Sequence, residues 1–183
     1  MLVMLNVLVS VTIGIGDVIH NWYASARVES LGDISFFIVF LDLLYIYVNN
    51  DIYNALPSDL KELIIDTKVV SGHGSTTGES NFVTTDKLYL LATREIWENG
   101  EEYQIEYDTA RELTRQLDYY KKLGVTTDKY EGAIKLYNGS AYYWWLRSPY
   151  SHYSDTFYPV NDIGGWTGSD ANNGGGLVVA FRL

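Results

Sequence analysis

Histidines and short catalytic motifs are the first places to look for chemistry in this chain. His20, His73 and His152 lie far apart and belong to no H-x-x-x-H or H-x-E pattern, so we predict no transition-metal site. The sequence contains no G-x-S-x-G elbow, no P-loop and no complete G-x-G-x-x-G motif. No sequence motif therefore supports a hydrolase or nucleotide-binding function, and we expect no catalytic residues.

Two groups of carboxylates could in principle hold calcium. The first is an acidic run without the D-x-D-x-D-G spacing, which favours a solvated acidic surface. The second is better, because loop carboxylates and amides suit a hard cation, although the same residues equally serve turns. Calcium is thus an alternative, and no cofactor is the main expectation. The first group is Glu95, Glu98, Glu101, Glu102, Glu106 and Asp108; the second is Asp155, Asp162 and Asp170 among Asn161, Asn172 and Asn173.

Composition narrows the classes of partner. The chain has 183 residues, a length typical of one domain, and its 13 Lys and Arg against 23 Asp and Glu give a net charge of −10. This charge repels a phosphate backbone, so we do not expect nucleic acid as a partner. The absence of cysteine excludes disulfides and thiolate metal sites.

Two apolar stretches resemble membrane or targeting segments. Residues 1–15 carry no Lys or Arg and no small-residue cleavage pattern, and we interpret them as strand-forming. Residues 31–48 are interrupted by Asp33 and Asp42, each of which would cost about 3 kcal/mol at the centre of a bilayer. We therefore expect a buried core segment and no membrane insertion.

The pattern of helix signals followed by strand signals predicts an α+β fold. Predicted helices cover 49–56, 57–65 after Pro57, and a segment from Asp108 or Thr109 to Leu123 that ends at Gly124. Predicted strands cover 2–15, 34–40, 67–70, 87–91 and 177–183, with an exposed Gly-rich loop at 71–80. After the turn dipeptide Asn138-Gly139 we expect only short strands and long loops.

The segment 144–149, Trp-Trp-Leu-Arg-Ser-Pro, is unlike ordinary surface sequence. From there to 183 the chain resembles the C-terminal part of a bacterial and phage domain of unknown function that is frequent in gut Firmicutes. Residues 50–61, 84–91 and 137–141 and the closing Ala-Phe-Arg-Leu at 180–183 match the same family. The resemblance spans 49–183, whereas residues 1–48 fit poorly and are expected to form an N-terminal strand region of the same domain.

This resemblance implies a C-type-lectin-like fold, shared at a distance with formylglycine-generating enzymes and with the variable proteins of diversity-generating retroelements. In that fold, helices precede an irregular, loop-rich antiparallel half. The family framework would be held by large side chains of the C-terminal part. These are Trp144, Trp145, Arg147, Phe157, Trp166 and Phe181.

Residues 150–176 contain no Lys, Arg, Glu, Gln, Met or Leu. Their residue types are largely those that arise when the adenines of Asn codons are randomised, as happens in proteins diversified by retroelements. The composition also resembles that of a paratope, in which Tyr supplies rigid contact area and Ser, Gly and Asn supply adaptable hydrogen bonds. We predict that twelve positions display side chains to a ligand. They are Tyr150, His152, Tyr153, Asp155, Thr156, Tyr158, Asp162, Ile163, Thr167, Ser169, Asp170 and Asn172.

The function predicted from these residues is non-catalytic recognition of a protein or glycan, on a cell surface or a phage particle. One alternative is a structural surface or virion domain without a specific ligand, because aromatic loops also form oligomer interfaces. A formylglycine-generating type of enzyme is disfavoured, since that chemistry needs cysteines or copper ligands and the chain has no cysteine.

Overall fold

The structure, a computed structural model, describes residues 2–3, 46–75, 78–171 and 173–183. This part of the chain is mixed α+β and largely β, with short helices and several small, mostly antiparallel sheets. The predicted α+β class is confirmed at this level. The strands predicted within 4–45 lie outside the described residues.

The helical segment before Pro57 is confirmed, with an earlier start than predicted. A π-helical turn at Tyr47–Ile52 continues into helix α1, Tyr53–Ala55. Leu56 then adopts an extended conformation with ψ 148°, as expected for a residue that precedes proline. Helix α2, Ser58–Leu63, follows Pro57, so the two helices are separated by a kink at the predicted place.

Strand β1 is Leu2–Val3, and the next two strands, β2 at Thr67–Ser71 and β3 at Phe82–Asp86, form an antiparallel hairpin. The strand predicted over 87–91 is wrong in its bounds, because β3 ends at Asp86 and only Tyr89–Leu90 form the next strand, β4. The loop between β2 and β3 is not fully exposed as predicted. Its first part is tied down, since the His73 backbone N–H donates to the Asn81 and Thr109 side chains at 3.1 and 3.0 Å.

The long helix predicted over 108–123 is wrong. After helix α3, Thr93–Ile96, the chain makes a 3₁₀ turn at Arg111–Leu113, becomes extended at Thr114, and forms only the short helix α4, Asp118–Lys122. Hydrogen bonds to distant residues replace helical ones here. The Leu117 N–H donates to the Glu95 carbonyl, and the Gln116 amide donates to the carbonyls of Ile96 and Val125.

The C-terminal part consists of short strands, as predicted. They are β5 Lys135–Tyr137, β6 Ser140–Tyr142, β7 Trp144–Pro149, β8 Thr156–Val160, β9 Ser169–Asp170, β10 Gly176–Leu177 and β11 Val179–Arg182. A four-stranded sheet has the order β10-β7-β8-β9, in which only β10 and β7 run parallel. A second sheet has the order β1-β11-β4, and β5 and β6 form a hairpin.

Two clusters of buried side chains form the core, and neighbouring residues of the same strand contribute to different clusters. Leu90 and Trp145 belong to one cluster, while their strand neighbours Tyr89 and Trp144 belong to the other. Alternate residues of a strand point to opposite faces, so these strands are buried on both sides. Among the described residues, no helix is long and apolar enough to cross a membrane.

Candidate functional site

The aromatic framework predicted from sequence lies in the interior. Trp144, Trp145, Phe157 and Phe181 are each at most 1% exposed, on strands β7, β8 and β11. Trp166 is half-buried and packs edge-on against the ring of Trp97, with 6.2 Å between centroids. These large side chains fill the core beneath the turns that follow β7 and β8.

Arg147 is a buried anchor that joins three strands. Its Nη1 donates to the Leu90 carbonyl and to the Glu95 carboxylate, both at 2.6 Å, and its Nε donates to the Val70 carbonyl at 3.1 Å. The guanidinium also lies 5.7 Å from the centre of the Tyr89 ring. Charge-assisted bonds in a buried setting fix both partners, so β7 is held rigidly against β2 and β4.

The acidic run is not a uniform solvated surface, and the prediction is wrong for two of its members. Glu95 binds Arg147, and Asp108, 5% exposed, accepts hydrogen bonds from the hydroxyls of Thr93 and Ser148 at 2.5 and 2.6 Å. Arg111 donates to the same Thr93 hydroxyl at 3.2 Å. Burial of polar groups requires such partners, and this cluster anchors the start of the segment after residue 107.

A shallow hollow of about 290 Å³, which we call the Tyr153 hollow, opens where β8 begins. The rings of Tyr150 and Tyr153 are stacked with centroids 5.8 Å apart, and His152 packs against Tyr153 at 4.9 Å. The turn is fixed by its backbone, since Tyr153 N–H donates to the Tyr150 carbonyl at 3.0 Å. The hollow is lined by Tyr150, Tyr153, Asp155, Thr156, Gly168 and Asp170.

A second hollow of about 310 Å³, the Ile163 hollow, opens where β8 ends. Its turn is built on Asn161, whose side-chain oxygen accepts from the N–H groups of Ile163 and Gly165 at 3.1 and 2.8 Å. Gly164 has φ +88° and its carbonyl accepts from the Trp97 indole at 3.0 Å. The hollow is lined by Tyr103, Tyr130, Asn161, Ile163, Gly165 and Trp166.

The loop 101–107 runs beside both hollows, and sequence reasoning missed it. Tyr103 lies 6.2 Å from Trp166, whereas Tyr107 contacts Tyr150 and His152 with centroids 4.9 and 5.1 Å apart. The signal was present in two tyrosines within the acidic run. They were missed because isolated tyrosines in a loop give no periodic pattern.

Asp128 holds the start of this loop. Its carboxylate accepts hydrogen bonds from the backbone N–H groups of Glu101, Glu102 and Tyr103 at 2.5, 3.1 and 3.0 Å. These donors, that of Glu102 foremost, lower the pKa of Asp128 below its ordinary value, because they stabilise the charged form. Gly100 is required beside it, since a Cβ there would lie 2.2 Å from the carboxylate.

The eleven predicted display positions that the structure describes fall into three groups. Six have exposed side chains: His152, Tyr153, Asp155, Asp162, Ile163 and Asp170. Tyr150, Thr167 and Ser169 are half-buried, and Asn172 lies outside the described residues. The prediction that Thr156 and Tyr158 display their side chains is wrong, because they are 6% and 2% exposed.

Thr156 and Tyr158 both belong to β8, which is buried along its whole length. The Tyr158 hydroxyl accepts a hydrogen bond from the Tyr107 N–H at 3.3 Å, beneath the loop 101–107. Burial raises the pKa of Tyr158, and it also raises the pKa of Tyr150, to which the neighbouring Tyr107 adds. Both phenols therefore stay neutral around pH 7 and act as uncharged hydrogen-bonding groups.

The calcium candidates are not brought together as a set. Asp155 and Asp170 both lie near the Thr156 hydroxyl, at 3.3 Å each, whereas Asp162 sits on the other turn, in the segment after β8. Within the described ranges, no three His, Cys, Asp or Glu side chains are grouped as metal ligands would be. The structure thus supplies a pair of carboxylates at the Tyr153 hollow rather than a coordination sphere.

Comparison with known proteins places this arrangement in a family. The family model described as "Domain of unknown function (DUF6273)" matches residues 43–183, and the chain belongs to that family. The matched range begins six residues before the boundary expected at 49. No curated protein and no solved structure matches the chain.

Proposed function

We propose that this chain is a non-catalytic recognition domain, which binds a protein or glycan through the Tyr153 hollow and the Ile163 hollow. The observation that carries the proposal is the exposure of large side chains on hydrogen-bonded turns: Tyr153 is 55% exposed and Ile163 is 54% exposed. Exposed apolar groups beside a concave surface are typical of contact sites.

The rigidity of the two turns supports this function. Side chains that are ordered before binding lose less conformational entropy when a partner arrives. Here the backbone of each turn is fixed by its own hydrogen bonds, and the rings of Tyr107 and Tyr150 buttress the exposed Tyr153. Tyrosine also presents a large amphipathic surface with few rotatable bonds, which suits both protein and glycan surfaces.

The two hollows lie at opposite ends of β8. Thr156 lines one, and Asn161, the residue after Val160, lines the other. The strand between them spans about 13 Å at the usual rise per residue. A ligand that occupied both would have to be as long as a few sugar rings or an extended peptide of four to five residues.

We further propose that the fold is a distant variant of the C-type-lectin-like fold, and that the exposed positions are those a retroelement would diversify, on a cell surface or a phage particle. Thr156 and Tyr158 are excluded from the positions proposed for diversification, because both are buried and variation of core residues would disrupt packing. An adenine-rich template repeat and a reverse transcriptase near the gene would support diversification, and their absence would remove it without touching the binding proposal.

The test is a screen of the purified full chain on glycan and surface-protein arrays, with calcium and with a chelator. We expect specific binding by the wild-type chain. Loss of that binding in the chelator would support the calcium alternative at the carboxylate pair of Asp155 and Asp170. Binding that is equal in both conditions would show that the hollows work without metal.

A structural role is the second candidate, because another surface also exposes apolar groups. On the β5–β6 hairpin and just after it, Leu136, Tyr142 and Tyr143 are 55%, 39% and 42% exposed. Such a patch suits self-association. If alanine at Tyr143 abolishes an oligomer while array binding is absent, the structural role is favoured.

A further inference from the structure

A cleft of about 820 Å³ lies apart from both hollows. Its lining comes from β2, β4, β7, β11, helix α3 and the stretch 112–122, which the structure shows as a 3₁₀ turn, a loop and the short helix α4 in place of the predicted long helix. Leu113 and Tyr119 on this segment are 62% and 46% exposed, so the mouth of the cleft faces solvent. The volume is in the range of sites for small molecules.

Arg147 lines this cleft, and one of its guanidinium nitrogens has no acceptor among the described residues. Its side chain is 7% exposed, and its Nε and Nη1 are occupied by the carbonyls of Val70 and Leu90 and by Glu95. The remaining nitrogen, Nη2, donates to no atom of the described residues. It is also not one of the side-chain atoms in this part of the chain that are fully buried without a hydrogen-bond partner. Within the described part of the chain, its N–H groups are therefore available to a ligand in the cleft.

The charge of the cleft is opposite to that of the chain. Five cationic side chains and three carboxylates line it, in a chain of net charge −10. Glu95 and Arg147 form an ion pair at 2.6 Å, and the remaining lining has four cations and two carboxylates. The cations are Lys68, Arg115, Lys122, Arg147 and Arg182, and the carboxylates are Glu95, Glu112 and Asp118.

We infer that this cleft binds a small ligand bearing a carboxylate or a phosphate. Arg147 Nη2, already oriented by the three bonds of its guanidinium, would donate to an oxygen of the anion, and the exposed Lys68 and Arg115 would add long-range attraction. A buried guanidinium is preorganised for this role, because none of its rotamer freedom remains to be lost. The inference is independent of the two hollows.

Isothermal titration of the full chain with sodium glucuronate and, separately, with inorganic phosphate tests the inference at low, matched ionic strength. We expect at least one of them to bind. Glucuronate alone would assign a carboxylate ligand, phosphate alone a phosphorylated one, and the Arg147 Nε–H resonance should shift in the same titration.

The variant Lys68→Gln/Arg115→Gln changes two exposed side chains of the cleft, leaves Arg147 and the core in place, and should weaken that binding at least tenfold. The control Lys121→Gln/Lys129→Gln removes the same charge from exposed lysines that do not line the cleft, and should change affinity less than twofold. Absence of binding of both anions at millimolar concentration, or equal weakening in both double variants, would overturn the inference. Failure of array binding would not bear on it.

Discussion

At the scale of single residues, buried polar groups carry much of the specificity of this fold. Asp108 accepts the hydroxyls of Thr93 and Ser148 and the N–H of Ala110. Removing the carboxylate in Asp108→Ala leaves the buried hydroxyls of Thr93 and Ser148 without this acceptor and takes a nearby negative charge away from the buried Arg111 guanidinium. We expect a loss of about 3 kcal/mol in the free energy of unfolding, measured by urea denaturation.

The control for this change comes from the same acidic run. Glu106 is exposed, so Glu106→Ala should alter the free energy of unfolding by less than about 0.5 kcal/mol. Similar small effects in both variants would contradict the assignment of Asp108 as a structural carboxylate.

Gly164 is required by the turn that carries Ile163. Its φ is +88°, and a Cβ would lie 2.2 Å from the Tyr130 carbonyl oxygen. We expect Gly164→Ala to cost about 2 kcal/mol in unfolding free energy through backbone strain and this contact. Gly174→Ala is the matched control, because no atom lies within 4 Å of its Cβ position, and it should be nearly neutral.

The sequence predicts burial correctly for large apolar side chains. It fails for residues such as tyrosine and threonine, which carry both apolar and polar groups and occur in cores as well as on surfaces. The tryptophans of 144–145 belong in a core on area alone. Tyr158 and Thr156 were misplaced because β8 is buried on both faces, which removes the alternation that would distinguish an inward from an outward side chain.

At the scale of elements, three successive N–H groups at the start of the loop 101–107 share one acceptor, the carboxylate of Asp128. The N–H donors that lower the pKa of Asp128 contribute stability that is fully present above its ordinary value of 3.8 and is lost as pH falls through the lowered pKa of the folded state. We expect the amide resonances of Glu101, Glu102 and Tyr103 to shift together on acidification, with a midpoint below 3.8.

In Asp128→Asn this shared transition should disappear, and the loop resonances should differ from wild type already at pH 7, while the global unfolding transition changes little. If the three amides titrate in the same way in both proteins, the loop is held by other contacts.

The predicted helix over 108–123 is wrong for a reason that also lies at this scale. Apolar spacing there fits a helix, but Asp108 and Arg111 are bound to distant groups, and Gln116 and Leu117 donate to carbonyls outside the segment. Tertiary hydrogen bonds of this kind override the local helix propensity. They cannot be recognised from the spacing of apolar residues in the sequence. The helix end at Gly124, φ +67°, was predictable because it is a local requirement.

At the scale of the whole molecule, the two core clusters share strands. Leu90 and Leu91 are neighbours in sequence but pack into different clusters. We expect Leu90→Ala and Leu91→Ala each to lower the unfolding free energy by about 2–5 kcal/mol, in a single transition seen alike by tryptophan fluorescence and far-UV circular dichroism. Separate transitions by the two probes would show that the clusters unfold independently.

The binding account is tested most directly by comparing Tyr153→Ala/Ile163→Ala with the control Tyr143→Ala on the same arrays, with melting temperatures measured in parallel. All three side chains are exposed, so none of the changes should unfold the chain. The account predicts that the double variant loses at least tenfold in affinity for the array ligand at an unchanged melting temperature, while the control binds like wild type. Wild-type affinity in the double variant, or no array ligand for a well-folded chain, would contradict it.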